Sequence, residues 1–257
     1  MILCLDIGNS QIHGGLFDSQ GKKQFQFRKS TDKNSSSDET GVFLKAVLRE
    51  NGYSSEDVQQ IALCTVVPEA IYSVTNACLK YLKKRPFVLK AGVKTGLKIK
   101  YRNPLEVGAD RIANGVAATH LFPNENAIVV DFGTATTFCA LSKDLEYMGG
   151  VILPGLKIAM KSLEINTAKL PTVEIVGMEK TLGQSTVESI QSGLFWGHVG
   201  AVRQILENLK TDCFSGQEVK VIATGGFTHL FSKLSLYDHH EPDLVLKGLF
   251  LSLLKNA

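Results

Sequence analysis

Short apolar runs that stop at an aspartate and a glycine recur along this chain. Residues 2–5 are apolar throughout and run into the turn Asp6-Ile7-Gly8-Asn9-Ser10, after which apolar positions return around Gly15-Leu16-Phe17. The next turn is Asp18-Ser19-Gln20-Gly21, so the pattern predicts an antiparallel hairpin whose first turn carries polar groups. The polar segment 30–40 reads as a mobile loop. A helix is predicted over residues 41–50, with Val42, Phe43, Ala46 and Val47 on one face. Residues 61–67 read as a buried strand that stops at Pro68, because proline cannot continue a sheet ladder. A second helix over 69–84 and a short strand over 87–89 follow.

The opening pattern returns in mid-chain. Ala127-Ile128-Val129-Val130 is a short apolar strand, and Asp131-Phe132-Gly133-Thr134-Ala135-Thr136-Thr137 is its turn. Superposed without gaps, Asp131 falls on Asp6, Gly133 on Gly8, Thr134 on Asn9 and Leu141 on Leu16. A repeat spanning half the chain is the signature of duplicated domains; the competing reading is a chance likeness of two hairpins. A third element, Val221-Ile222-Ala223-Thr224-Gly225-Gly226-Phe227, is again a strand running into glycines. The expected fold class is α/β, with one domain over residues 1–115 and a second over 116–257.

Composition narrows the function classes. Of 257 residues, 44% are hydrophobic and 21% charged, a globular profile. The net charge of +3 is too even to favour a nucleic-acid partner. The basic run Lys80, Lys83, Lys84, Arg85 is expected to be a solvated helix end. Five widely spaced cysteines with no CxxC pair argue against zinc and read as buried free thiols. The first apolar run is too short for a signal peptide and nothing approaches a bilayer span, so a cytoplasmic protein without a membrane partner is expected.

Glycine two residues after a strand-end aspartate lets the backbone approach a ligand, and exposed N–H groups in such turns form an anion site. Asn9, Ser10, Thr134 and Thr136 add donors suited to phosphate oxygens. Aspartate beside phosphate makes sense once Mg²⁺ is added, since that ion takes one or two carboxylates plus phosphates. Each Asp-x-Gly taken alone is equally an ordinary turn. There is no GxxxxGK[ST] and no strand-following GxGxxG. A nucleotide enzyme of this sequence therefore needs another phosphate clamp.

Asn103-Pro104-Leu105-Glu106-Val107-Gly108-Ala109-Asp110-Arg111 leads into a helix with Ile112, Ala113 and Val116 on its apolar side. Asp110 in the first turn has two readings. It complements the helix dipole beside a solvated Arg111, or it takes a proton from a substrate hydroxyl while Arg111 binds an anionic group. Gly149-Gly150-Val151-Ile152-Leu153-Pro154-Gly155 predicts a strand turning into a helix near Leu156.

Jointly, Asp6-Ile7-Gly8-Asn9-Ser10, Gly108-Ala109-Asp110-Arg111, Asp131-Phe132-Gly133-Thr134-Ala135 and Gly149-Gly150-x-Ile152-x-Pro154-Gly155 resemble the motifs of type III pantothenate kinases. Thr65-Val66-Val67-Pro68, Leu170-Pro171 and Thr224-Gly225-Gly226 fit the same pattern. The resemblance implies two RNase H-like domains of the actin, Hsp70 and sugar-kinase superfamily with a nucleotide cleft between them, and a homodimer. It implies that ATP and pantothenate give ADP and 4′-phosphopantothenate, the first step toward coenzyme A. By the same resemblance Asp6, Ile7, Gly8, Asn9, Ser10, Gln11, Ile12 and His13, with Thr134, bind ATP. Asp110 is the proton acceptor; Tyr101, Gly108, Ala109, Asp110, Arg111 and Thr186 line the pantothenate site. Asp131 holds a potassium or ammonium ion. Thr186 is equally readable as a helix N-cap, and Gln11-Ile12-His13 departs from the familiar pattern. Two other functions stay open, a kinase for another hydroxyl acceptor and a nucleotide-binding transcriptional regulator of similar sequence.

Overall fold

The computed structural model describes residues 1–167 and 169–257, which their contacts divide into two units. The first comprises Met1–Leu97, Arg102–Ala117 and Asp243–Ala257; the second comprises Lys98–Tyr101 and Ala118–Pro242. An even division near residue 115 assigns the C-terminus to the second half. The last helix instead belongs to the first unit.

In chain order the elements are β1 (Ile2–Ile7), β2 (Gln11–Phe17), β3 (Lys23–Ser30), α1 (Ser37–Glu50), β4 (Gln60–Thr65), α2 (Pro68–Tyr81) and β5 (Phe87–Val88). They continue with β6 (Lys98–Ile99), α3 (Ala109–Leu121), β7 (Asn126–Phe132), β8 (Ala135–Leu141), β9 (Glu146–Pro154) and α4 (Leu156–Asn166). The chain ends with α5 (Thr186–Phe214), β10 (Val219–Thr224), β11 (His239–His240) and α6 (Leu244–Leu254).

The first sheet runs β3-β2-β1-β4-β5 and the second β9-β8-β7-β10-β11, with β6 added on the free edge of β9. In each, the first three strands pair antiparallel and the last two join in parallel. The same order and directions occur twice, as the internal repeat predicts. The ungapped superposition slips in one place. Leu3 faces Leu16 across the first hairpin, whereas Ile128 faces Ala140 across the second. The partner of Leu16 in the repeat is therefore Ala140, because the second turn is one residue shorter.

β1 is apolar because it is buried on both faces. Alternate residues of a strand point to opposite sides. Leu3, Leu5 and Ile7 enter a core shared with Leu44 and Leu48 of α1 and Val74 and Cys78 of α2. Cys4 and Asp6 point the other way, toward the face on which α6 packs against β1, β2 and β4. α6 is buried along Leu244, Val245, Leu246, Leu249, Phe250 and Leu253, and a helix apolar all round needs cover on every side. In the second unit Ile128, Val130, Phe132, Phe138 and Ala140 meet Leu156 of α4 and Ile190, Leu194 and Val202 of α5.

The segment 30–40 is not a long loop. Ser36 caps α1 by accepting from the Glu39 N–H at 3.1 Å while the Glu39 carboxylate accepts from the Ser36 N–H at 2.7 Å. This reciprocal capping box starts the helix at Ser37, ahead of its apolar face.

Candidate active site

In the first unit the β1–β2 turn is closed by the Gly8 N–H donating to the Gln11 carbonyl at 3.0 Å. Thr31, just past β3, braces it. Its N–H donates to the Ser10 carbonyl at 3.0 Å and its hydroxyl to the Gly8 carbonyl at 2.7 Å. Asn9, Ser10 and Gln11 are exposed, whereas Ile7, Ile12 and His13 are buried. The first three therefore offer side chains to a ligand. The other three build the turn.

His13 lies among Arg28, Gln26 and Lys23 of β3, with its Nε2 3.6 Å from Asp243 Oδ1. Burial foremost, then Arg28, holds its pKa down to about 4, against the opposing pull of Asp243. The imidazole is neutral at pH 7, so the carboxylate's ion-pair partner is Lys23.

Asp6, the next-to-last residue of β1, is in register with Cys64 of the parallel strand β4, so both side chains leave the same face. The Cys64 thiol donates to Asp6 Oδ1 at 3.2 Å. Asp110 reaches the same neighbourhood from the first turn of α3, where the charges of Asp6 and Asp110 both act on the thiol. Asp110 Oδ1 accepts from the Arg111 N–H at 2.8 Å. Burial nevertheless raises the Asp110 pKa above the ordinary carboxylate value, outweighing the lowering by this bond and by the Arg111 charge. Arg111 is buried, with one terminal nitrogen 3.4 Å from the Glu106 carbonyl. That removes the reading of Arg111 as a solvated cation. The preceding segment is held by the Asn103 side chain, which accepts from the Leu105 N–H at 3.2 Å and donates to Glu106 at 2.9 Å.

In the second unit Asp131 sits at the end of β7, in register with Thr137 on β8 and Thr224 on the parallel strand β10. Gly225 follows with φ at +94°, and a Cβ there would stand 2.5 Å from Asp131 Oδ1 and 2.6 Å from the Phe132 nitrogen. Only glycine combines this dihedral with such an approach. Thr228 locks the loop by donating its hydroxyl to the Thr224 carbonyl at 2.6 Å. A Cβ on Gly155 would lie 2.3 Å from the Thr134 carbonyl, so the second glycine motif lets the start of α4 press against this turn.

Thr134 is exposed at the turn, as a phosphate donor requires. Thr136 is not. Its hydroxyl is buried and meets His198 Nε2 of α5 at 2.9 Å, so it braces the hairpin rather than facing a ligand. Tyr101 packs its ring 6.3 Å from that of Tyr147 and lies beside Gly149. Thr186 is exposed as the first residue of α5, while the N-cap is Ser185, which accepts from the Glu188 N–H at 3.2 Å. Thr186 also lines a groove of about 1090 Å³ with Pro154, Ile158, Leu163, Leu170 and Ile190.

Within the first unit, then, Asp6 and Asp110 both act on Cys64, and Arg111 follows Asp110 at the head of α3. Thr134 and Asp131 share one turn of the second, and Tyr101 and Thr186 lie elsewhere in that unit. Cys64 carries no signal of its own in the sequence beyond its place just ahead of Thr65-Val66-Val67-Pro68 at the strand end. Among the described residues, no helix is long and apolar enough to cross a membrane.

A type III pantothenate kinase from Legionella pneumophila (strain Paris) is 56% identical over 257 residues, covering all of both chains. Two solved structures share the fold. A Campylobacter jejuni protein described as a conserved Baf-family transcriptional activator is 20% identical with a TM-score of 0.62, over 99% of this chain and 98% of that one. Component A of (R)-2-hydroxyglutaryl-CoA dehydratase from Acidaminococcus fermentans is 10% identical with a TM-score of 0.54, over 100% and 99%. The duplicated α/β architecture is the fold that these structures share with this chain. With the type III pantothenate kinase family model matching residues 2–208 as well, the chain belongs to the type III pantothenate kinase family.

Proposed function

We propose that the protein transfers the γ-phosphoryl group of ATP to the primary hydroxyl of pantothenate, giving 4′-phosphopantothenate for coenzyme A synthesis. The observation that carries this reading is the Asp110 carboxylate at the head of α3, held by the Arg111 N–H beside a buried Arg111 side chain, in a chain of this family. Asp110 is the proton acceptor. Its burial brings its pKa toward working pH, which favours a general base over an ordinary surface carboxylate. Arg111 pairs with the pantothenate carboxylate through its planar fork, with Gly108, Ala109, Tyr101 and Thr186 shaping the rest of the acceptor site. Asn9, Ser10 and the backbone of residues 6–13 hold ATP phosphates, together with Thr134. Most of the acceleration comes from positioning and charge, as in phosphoryl transfer generally.

Mg²⁺ would arrive with ATP, and the Asp6 carboxylate would help to hold it. The second turn offers a set of hard oxygens, the Asp131 carboxylate over a glycine and the Thr134 hydroxyl, which fits a potassium or ammonium ion. Such a cation would supply fixed positive charge for phosphoryl transfer. The protein works in the cytoplasm as a homodimer on this reading, supported by the family and by exposed apolar residues Ile158, Leu163 and Leu182 in the second unit.

The test is product identity. Phosphorus NMR of reactions offered pantothenate, a hexose, acetate or glycerol is expected to show a new phosphomonoester with pantothenate alone. A phosphorylated sugar or glycerol instead would reassign the acceptor, and ATP binding without product would favour a regulatory relative.

A further inference from the structure

Buried cysteines are most often small hydrophobes, and Cys78 of this chain, on the core face of α2, fits that description. Cys64 differs in what faces it. It is fully buried at the C-terminal end of β4, paired in parallel register with Asp6 of β1. Ligands of open α/β sheets bind at this end of the strands. Its sulfur lies 3.2 Å from Asp6 Oδ1, and Asp110 adds a second carboxylate from α3. A proton must lie between sulfur and oxygen for that approach to be favourable, and a buried thiol next to a carboxylate can only donate.

We propose that Cys64 is a positioning residue for phosphoryl transfer: its thiol donates to Asp6 and fixes the direction of that carboxylate at the mouth of the first turn. Two observations support this beyond the contact itself. Asp6 and Cys64 are register partners on neighbouring parallel strands, so the sheet fixes their approach. Moreover, β4 continues through Thr65, whose hydroxyl accepts from the Val67 N–H at 2.9 Å and donates to the Val67 carbonyl at 3.1 Å. The strand end that carries Cys64 is thereby stiff, and a stiff support is what an oriented carboxylate needs.

The inference rests on the kinase reading given above, and its test separates the two. The full chain would be compared as wild type, Cys64→Ser, Cys64→Ala, Cys64→Val and Cys78→Ala. Steady-state kinetics would be read beside MgATP affinity by calorimetry and Tm. Serine keeps a donor, while alanine and valine lack one and bracket the thiol in volume. The expected result sorts by donor and not by volume. Cys64→Ser stays within about threefold of wild-type kcat, while Cys64→Ala and Cys64→Val both fall roughly tenfold or more, since small misplacements of a reacting group carry penalties of that order. The KM for pantothenate stays near wild type in all four variants, and Cys78→Ala loses Tm without losing kcat. Equal kcat for Cys64→Ala and wild type would overturn the assignment while leaving the kinase reading intact. So would a Cys64→Ser variant as impaired as Cys64→Ala with the same drop in Tm. A wild type without pantothenate-dependent turnover would overturn both.

Discussion

The two hairpins are built on one plan and differ in what stands beside the aspartate. Asp6 and Asp131 are each the next-to-last residue of a central strand, each followed by a residue and a glycine, and each with a parallel neighbour strand at its side. Across from Asp6 lies the Cys64 thiol; across from Asp131 lies Thr224, followed by Gly225 at positive φ. On the antiparallel side Asp6 faces His13, and Asp131 faces Thr137. The first turn spans one residue more, and Thr31 braces it from outside. On the proposed function this difference is a division of labour. The first hairpin stands near the carboxylate at the head of α3, and proton transfer falls to that side. The second sets its aspartate against the glycine that follows Thr224, and holding a cation falls to that side.

The sharpest way to break this comparison is at Asp110, on the side of the first hairpin. Asp110→Asn is expected to lower kcat by roughly 10²–10⁴-fold with MgATP affinity little changed, the range for a positioned base. Because burial raises the carboxyl's pKa, ionising it in the fold is unfavourable, and Tm should not drop in the same variant. Wild-type kcat/KM should rise with pH along an acid limb lying above about 3.9, the ordinary aspartate value. Undiminished turnover would remove Asp110 from the role.

Gly225→Ala tests the second hairpin. The new Cβ would meet the Phe132 backbone at a strained dihedral, for an expected loss of about 1–3 kcal/mol in stability by denaturant melts. Wild-type stability with an intact potassium response would show that Asp131 does not need its glycine floor.

His13 sets an acid sensitivity that the threonine of the second hairpin lacks. Its folded pKa of about 4 lies below the unfolded value of 6.5. The stability it contributes is therefore whole above pH 6.5 and is lost as pH falls toward 4. By linkage the loss reaches roughly 2 kcal/mol by pH 5. His13→Gln should flatten the stability curve between pH 6.5 and 5, and an unaltered slope would place the sensitivity elsewhere. The smallest effect concerns Asp131. Exchanging sodium for potassium or ammonium is expected to raise initial rates, and Asp131→Asn should abolish the difference. Equal rates in the three salts would remove the cation from this turn.

Much of this was legible in the residues because backbone constraints leave local marks. Both strand–Asp-x-Gly turns, the start of α3 just ahead of Asp110 and the turn into α4 at Leu156 all lie where apolar periodicity meets glycine or proline. β3 escaped notice although Phe25 and Phe27 alternate with polar residues in strand period. The segment 30–40 misled because its polar residues are a capping box, in which Ser36 and Glu39 matter more than hydropathy. α6 and its return to the first sheet had no local mark, since only tertiary burial decides which sheet an apolar helix covers. The same holds for the site. Asp6, Asp110 and Arg111 could be singled out along the chain, but the Cys64 contact and the pairing of Thr136 with His198 depend on register and on a long-range helix.

The most direct measurement is ADP release by the purified protein with ATP, Mg²⁺ and potassium, in the presence and absence of pantothenate. Release that depends on pantothenate is the expected result. Release unaffected by pantothenate, or ATP bound without turnover, would contradict the assignment of the first hairpin and Asp110 to phosphoryl transfer.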